Sequence, residues 1–424
     1  MNLNAGRHAK TLSILCGALA LAGCASDPIE PPERTEPLGR AADLYELPPF
    51  YQSATYRHMD ANYPTRTVQR GESVYELPRG EPLEVRYRAE ERTLDTADFM
   101  RRNDVHGLLV IDDGKIVLER YADDTDATSR WTSFSVVKSI SSTLIGAAVQ
   151  QGLIESLDDP VTDYLPSLAG SGYEGVTLKQ ILQMSSGVRW NEDYQDPESD
   201  RRLMFDRQLD EQVGGILELM GTLPREAEPG TRFHYSTGES HLQSEVLTAA
   251  TGRTVSDYLS ERIWSRMGME RDAFWQLESR AGQEIGSSGF SATLRDYGRF
   301  GQFLLNDGVI DGERVLPAGW IEAATSVDPS THIAPGKLYG GEYPIGYGYQ
   351  WWTFPVGDAS LDHHDGGAYE GEGIFGQFLY VNPGKRIVAV VWSAWPEPWI
   401  DEREFETYDF LGAAIAGIEK RRSS

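Results

Sequence analysis

"SFSVVKSISSTLIGAAVQ", Ser133 to Gln150, decides how the rest of the chain is read. Val137, Ile140, Leu144, Ala147 and Ala148 recur at helical spacing, which predicts a helix with a buried face. Lys138 stands at the edge of that face, three residues after Ser135, so the two side chains share one side of the helix start and can touch. A serine hydroxyl is a weak nucleophile until a neighbour takes its proton. A lysine desolvated by an apolar wall loses its preference for the charged form, and its free amine then accepts or relays that proton. The helix start adds free backbone N–H groups and the positive end of the helix dipole beside the serine oxygen. Taken alone, Ser-x-x-Lys is a weak signal that chance supplies in a chain with many serines, so segments downstream must decide.

Two of them do. In "PGTRFHYSTGES", Pro229 to Ser240, a Pro-Gly turn leads into Tyr235. A tyrosine near a lysine ammonium is stabilised as phenolate and exchanges protons with a serine or a leaving group; the competing reading is simple packing. In "HHDGGAYEGEG", His363 to Gly373, glycines lead into a strand. They let the backbone approach a ligand and offer N–H donors to an oxyanion; the competing reading is a flexible loop. His363, Asp365 and Glu370 in this segment have no second histidine at helical spacing, so no metal site is expected there.

The pattern of elements suggests an α+β architecture. "HGLLVIDDGKIVLERY" is a hairpin around Asp113-Gly114, and Gly373 to Trp395 gives two more strands around "NPGK". Helical patterns over Val176–Met184, Leu242–Thr251, Val255–Met267 and Leu294–Asn306 fill the middle, and a last amphipathic stretch, "FETYDFLGAAIAGIEK", closes the chain. Strands, a long helical middle, then strands and a helix predict an antiparallel sheet flanked by helices with a mostly helical insertion.

Arg7, His8 and Lys10 precede an apolar run from Leu12 to Leu21 that is too short to span a bilayer, as in an export signal. "LAGC", Leu21 to Cys24, resembles the bacterial lipobox, which implies cleavage after residue 23 and lipid on Cys24; the alternative is an ordinary cleaved signal. Residues 24–45, rich in proline and charge, are expected to be a disordered tether. Residues 46–95 are expected to wrap the main domain, residues 96–420. Ala25 after the cysteine favours, by the same resemblance, the outer membrane facing the periplasm. Both cysteines, Cys16 and Cys24, lie in this leader region, which excludes disulfides and thiolate chemistry from the rest. A net charge of −26 argues against nucleic-acid binding.

"SFSVVKS", "YSTGE" and the glycine-rich strand segment together resemble the serine β-lactamase and penicillin-binding-protein superfamily. The class C-like branch is the nearest, and within it the 6-aminohexanoate-dimer-hydrolase-like proteins. "LKQILQMSSGVRWNEDY", "GFSATLRDYGRFGQFLLNDG" and "GYGYQWW" also look like that branch, and the likeness covers roughly residues 95 to 420. It implies an α/β (α+β) transpeptidase-like fold and an acyl-enzyme on Ser135, with Lys138 as proton partner and Tyr235 as general base and acid. His364-Asp365-Gly366 then takes the third motif, and the oxyanion sits between the backbone N–H groups of Ser135 and Gly367. Tyr194 matches a substrate-assisting tyrosine, while Trp190, Trp351, Trp352 and Tyr369 wall the pocket or else pack in the core. His364 stands where β-lactamases carry a lysine, and Thr237 where class C enzymes carry asparagine, so efficient β-lactam turnover is not expected. The expected activity is hydrolysis of a small amide or ester without cofactor or metal. The alternatives are a peptidoglycan-directed D-amino-acid peptidase or weak β-lactamase, and a non-catalytic ligand-binding envelope lipoprotein.

Overall fold

The computed structural model describes residues 37–122, 124–327, 345–354 and 363–424. The expected export segment, Cys24 and the expected tether as far as residue 36 lie outside the described residues. Seven antiparallel strands form the main sheet, in the order Gly346–Tyr347, Trp352–Thr353, Tyr369–Gly373, Gln377–Asn382, Ile387–Ser393, Val105–Asp112 and Lys115–Tyr121. Asp113 and Gly114 both take positive φ, 44° and 78°, which matches the right-handed twist of the hairpin they close. Gln377–Asn382 and Ile387–Ser393 are buried along their whole length, so these central strands read as continuous apolar runs rather than alternating ones.

Side-chain alternation fixes what covers each face. Gly371 lies against Ser139 and Val136 of the helix Val136–Gln150, and Gly298 of the helix Leu294–Leu305 lies against Leu109 and Ile111 of the same sheet face. Glu370 and Glu372, pointing the other way, meet Tyr408 of the C-terminal helix Asp401–Arg422. A second sheet of four short strands, in the order Thr65–Val68, Ala273–Gln276, Phe290–Thr293 and Arg130–Thr132, was not foreseen. Strands of three or four residues drawn from three distant regions leave no periodicity to read.

Three element boundaries differ from expectation. Leu44 and Tyr45 are buried, and the Gly39 amide donates to Thr55 Oγ1 at 2.9 Å, so the folded part begins near residue 38 rather than 46. The helix read from Leu242 starts at Thr237, because Ser236 Oγ accepts from the Glu239 amide and caps it. Val255–Met267 divides into Val255–Leu259 and a π turn, Ser260–Trp264. Among the described residues no helix is long and apolar enough to cross a membrane.

Candidate active site

Ser135 is the N-cap of the central helix, and Phe134 before it is held in the left-handed region at φ 44°. That conformation costs a non-glycine residue free energy. It is held by packing of the Phe134 ring on Tyr56 and Phe375, at 5.1 and 5.2 Å between ring centres, and by the Ser133 amide donating to the Phe290 carbonyl at 2.7 Å. One turn on, Lys138 Nζ donates to Ser135 Oγ at 2.7 Å and to the Ser287 carbonyl at 2.9 Å. The lysine is 2 % exposed, and burial lowers its pKa to about 7, partly opposed by the charge of Glu192. Near neutral pH a large fraction of this amine is therefore uncharged and able to accept a proton.

Tyr235 immediately precedes the cap of the next catalytic-side helix, Thr237–Thr251. Its ring stacks on Trp352 with centres 5.8 Å apart and planes at 11°, and Lys138 Nζ lies 5.1 Å from its ring centre. Its hydroxyl shares a hydrogen bond with Ser135. Burial, and then the negative charge of Glu192, push its pKa above the ordinary value. The resting group is thus a neutral phenol, not the phenolate that proximity to an ammonium suggested; desolvation acts on both partners and removes the charge that would have stabilised it.

A cavity of about 380 Å³ opens over these groups, lined by Ser135, Glu192, Tyr194, Tyr235, Trp352 and Glu372, together with Gly373 and Trp399. Glu192 organises one wall. Its carboxylate accepts from Tyr194 OH at 2.8 Å, from the Thr237 amide at 3.0 Å, and from the Trp190 indole and the Thr237 hydroxyl. The sequence reading quoted this residue but gave it no role; one acid in a loop carries no periodic or spacing signal. Tyr194 and Trp352 do face the cavity as expected.

Other expected site residues lie elsewhere. His364 is buried in a stack with Phe354, 4.8 Å between centres, and its Nδ1 is 3.1 Å from Tyr380 OH. Gly366 packs on Asn382 and Gly384, and Gly367 precedes the strand Tyr369–Gly373. It is the opposite end of that strand that reaches the nucleophile: a Cβ on Gly373 would sit 2.5 Å from the Ser133 carbonyl and 3.1 Å from the Ser135 amide. Six residues of extended chain, roughly 20 Å, separate Gly367 from this point. The structure therefore does not bring His364, Asp365, Gly366 or Gly367 to Ser135; the residues of this segment that reach it are Glu372, Gly373 and Ile374. Trp351 and Tyr369 pack edge to face at 5.1 Å in the core, and Trp190, also buried, stands behind the cavity wall, bonded to Glu192 through its indole and to His234 through its carbonyl.

Behind the Glu372 wall lies an unusual group of acids. Tyr408 OH is 2.6 Å from Glu372, 2.8 Å from Glu370 and 3.1 Å from Glu404. One hydroxyl has one proton to give, so the other two contacts require protonated carboxyls. Burial raises all three: Glu370 to about 8, Glu404 to about 9, and Glu372 well above the usual carboxylate range.

The Beta-lactamase family matches residues 96–412. A 6-aminohexanoate-dimer hydrolase of Paenarthrobacter ureafaciens is 30% identical over 296 residues, covering 68% of this chain and 72% of its own length. A D-aminopeptidase of Brucella anthropi is 30% identical over 178 residues, 38% of this chain and 31% of that protein. Among solved structures, a Bacillus anthracis protein provisionally described as a 6-aminohexanoate-dimer hydrolase superposes with a TM-score of 0.75 at 25% identity, covering 87% of this chain and 95% of that one. A family VIII carboxylesterase shares the fold with a TM-score of 0.59 at 20% identity, over 76% of this chain and 95% of its own. A serine, a lysine and a tyrosine converge in the cavity of this fold, and the chain belongs to the beta-lactamase family of serine hydrolases.

Proposed function

We propose that this chain hydrolyses small linear amides and esters through an acyl-enzyme on Ser135, as an amidase or carboxylesterase similar to the 6-aminohexanoate-dimer hydrolases. The observation that carries the reading is the 2.7 Å contact between Ser135 Oγ and a fully buried Lys138 whose pKa is lowered to about 7. The neutral amine takes the Ser135 proton as Oγ attacks the carbonyl carbon. The new oxyanion is held by the Ser135 amide and the peptide between Gly373 and Ile374. Collapse breaks the bond to the leaving group, which takes a proton through Tyr235; water then attacks the ester and returns the serine. The neutral phenol supports a reading in which Lys138 takes the first proton and Tyr235 serves the second transfer.

Among the described residues no lysine or arginine lines the cavity, whereas the Glu192 carboxylate does, beside His234 and a Glu372 carboxyl that burial holds neutral. Such a wall disfavours substrates anchored by a carboxylate, β-lactams included, and favours a neutral or ammonium-bearing chain. A panel of linear amides and p-nitrophenyl esters ending in ammonium, methyl or carboxylate tests this: cleavage is expected in that order of preference. Release of D-alanine from stem-peptide fragments as the main activity, or absence of all turnover, would overturn it in favour of the peptidase or the binding protein.

The acid group also sets an alkaline limit. Activity rises with pH through about 7 as Lys138 loses its proton, and falls where the carboxyl group ionises, near 8 to 9. New negative charge there opposes the oxyanion and restores the proton on Lys138. Glu370→Gln removes the carboxyl that ionises near 8 and keeps a neutral hydrogen-bonding group beside Tyr408, so it is expected to move the alkaline limb of kcat/KM upward while leaving the acid limb near 7. An unchanged alkaline limb would separate these acids from the reaction.

We also propose that Cys24 carries lipid and tethers the enzyme to the outer membrane facing the periplasm; the support is the order of basic, apolar and small residues before it. Cys24→Ser is expected to release the protein into the soluble fraction, and unchanged membrane fractionation would count against the anchor.

A further inference from the structure

We infer that His241, Glu245 and Glu278 form a binding site for one divalent transition cation, outside the catalytic cavity and independent of the substrate reading. Their ligand atoms all lie within 4.8 Å of one another. His241 and Glu245 are one turn apart on the helix Thr237–Thr251, a spacing that puts both on one face. Glu278 comes from the loop after the strand Ala273–Gln276. His241 is fully buried, and neither ring nitrogen has a hydrogen-bond partner among the described residues. Its Nε2 lies 3.6 Å from a Glu245 carboxylate oxygen, longer than a hydrogen bond.

Glu278 is 1 % exposed; its Oε1 accepts from the Gly214 amide at 2.6 Å, while Oε2 is without a partner. Neither carboxylate pairs with an arginine or lysine among the described residues. One buried and one partly buried acid without a counter-charge around an unsatisfied imidazole are costly as they stand. Protonating the imidazole supplies a charge but places two N–H donors in an interior with no acceptor at bonding distance. A cation bound by all three satisfies the charge and the orphaned atoms together.

The donor set selects the ion. One imidazole nitrogen and two carboxylates suit Zn2+ and next Mn2+, whereas Mg2+ prefers all-oxygen octahedral sites and keeps its water. Ligands on a tetrahedral Zn2+ lie about 3.4 Å apart, so closure needs a shift of under about 1 Å at each side chain. The site also sits where a brace would act. The helix that carries His241 begins just after Tyr235, and the chain that carries Glu278 runs on to Ser287, whose carbonyl holds Lys138. A cation here ties together the two segments that position the phenol and the amine.

The test uses the whole protein without its export segment and without a histidine tag, stripped with chelator and then dialysed against ZnCl2 or MnCl2. Expected are one bound ion per chain by elemental analysis, a rise in Tm with Zn2+ exceeding that with Mn2+, and none with MgCl2. Because His241→Ala risks misfolding, the variants are Glu245→Gln and Glu278→Gln, near-isosteric and checked for fold by circular dichroism. Each is expected to weaken Zn2+ binding by roughly tenfold or more and abolish the Tm rise. Absence of a stoichiometric ion in the wild type, or equal affinity in both variants, would overturn the site.

Discussion

Lys138→Met is expected to lower kcat/KM by at least about 10³-fold while making the protein more stable. The loss follows from geometry: Lys138 Nζ is the basic group at 2.7 Å from Ser135 Oγ, and methionine fills its volume without accepting a proton. The gain follows from burial. An unfolded lysine binds its proton up to about 10.5, whereas the folded one gives it up near 7. The folded pKa is depressed, so below about 7 both states are protonated and the cost of burying the ammonium is full. Between 7 and 10.5 the unfolded chain binds more protons, and wild-type stability rises with pH until the cost vanishes. The variant escapes it, a difference on the order of 3 to 5 kcal/mol at pH 7. Denaturant titrations at pH 7 and pH 10 check this: the stability gap between Lys138→Met and wild type should shrink markedly at the higher pH. A variant less stable than wild type at pH 7 would mean that the amine is not held in a dehydrated state.

Tyr235→Phe is expected to separate amides from activated esters. A departing alkylamine must be protonated as the C–N bond breaks, and the phenol bonded to Ser135 is the acid in place to do so. A p-nitrophenolate leaves without that help. The variant should therefore lose about 10² to 10⁴-fold in kcat on amides and far less on p-nitrophenyl esters. Stacking on Trp352 survives in phenylalanine, so KM should change little. Equal losses on both substrate types would instead place Tyr235 in the attack step.

The convergence of Ser135, Lys138 and Tyr235 was legible because each sits at a local feature that sequence encodes: a helix cap for Ser135, the next turn for Lys138, and the residue before another cap for Tyr235. The third motif was misplaced because "HHDGG" and "EGEG" look alike as glycine-rich entries to a strand, and only register shows which end meets Ser135. Glu192 escaped notice because its role is to collect donors from three segments, Trp190, Tyr194 and Thr237, whose convergence is a tertiary fact. The same holds for Glu370, Glu372 and Glu404, which share one tyrosine hydroxyl across sheet and helix. Of the fold, the hairpin at Asp113-Gly114 and the long helices were readable from periodicity, whereas the four-stranded sheet depends on pairing between segments more than two hundred residues apart, such as Arg66 with Trp275.

The most direct test of the account is the intact mass of the protein quenched during turnover of a slowly hydrolysed acyl ester. A transient increase equal to one acyl group is expected, located on Ser135 by peptide mapping and absent from a folded Ser135→Ala. An acyl group carried by another residue, or full turnover by Ser135→Ala, would contradict it.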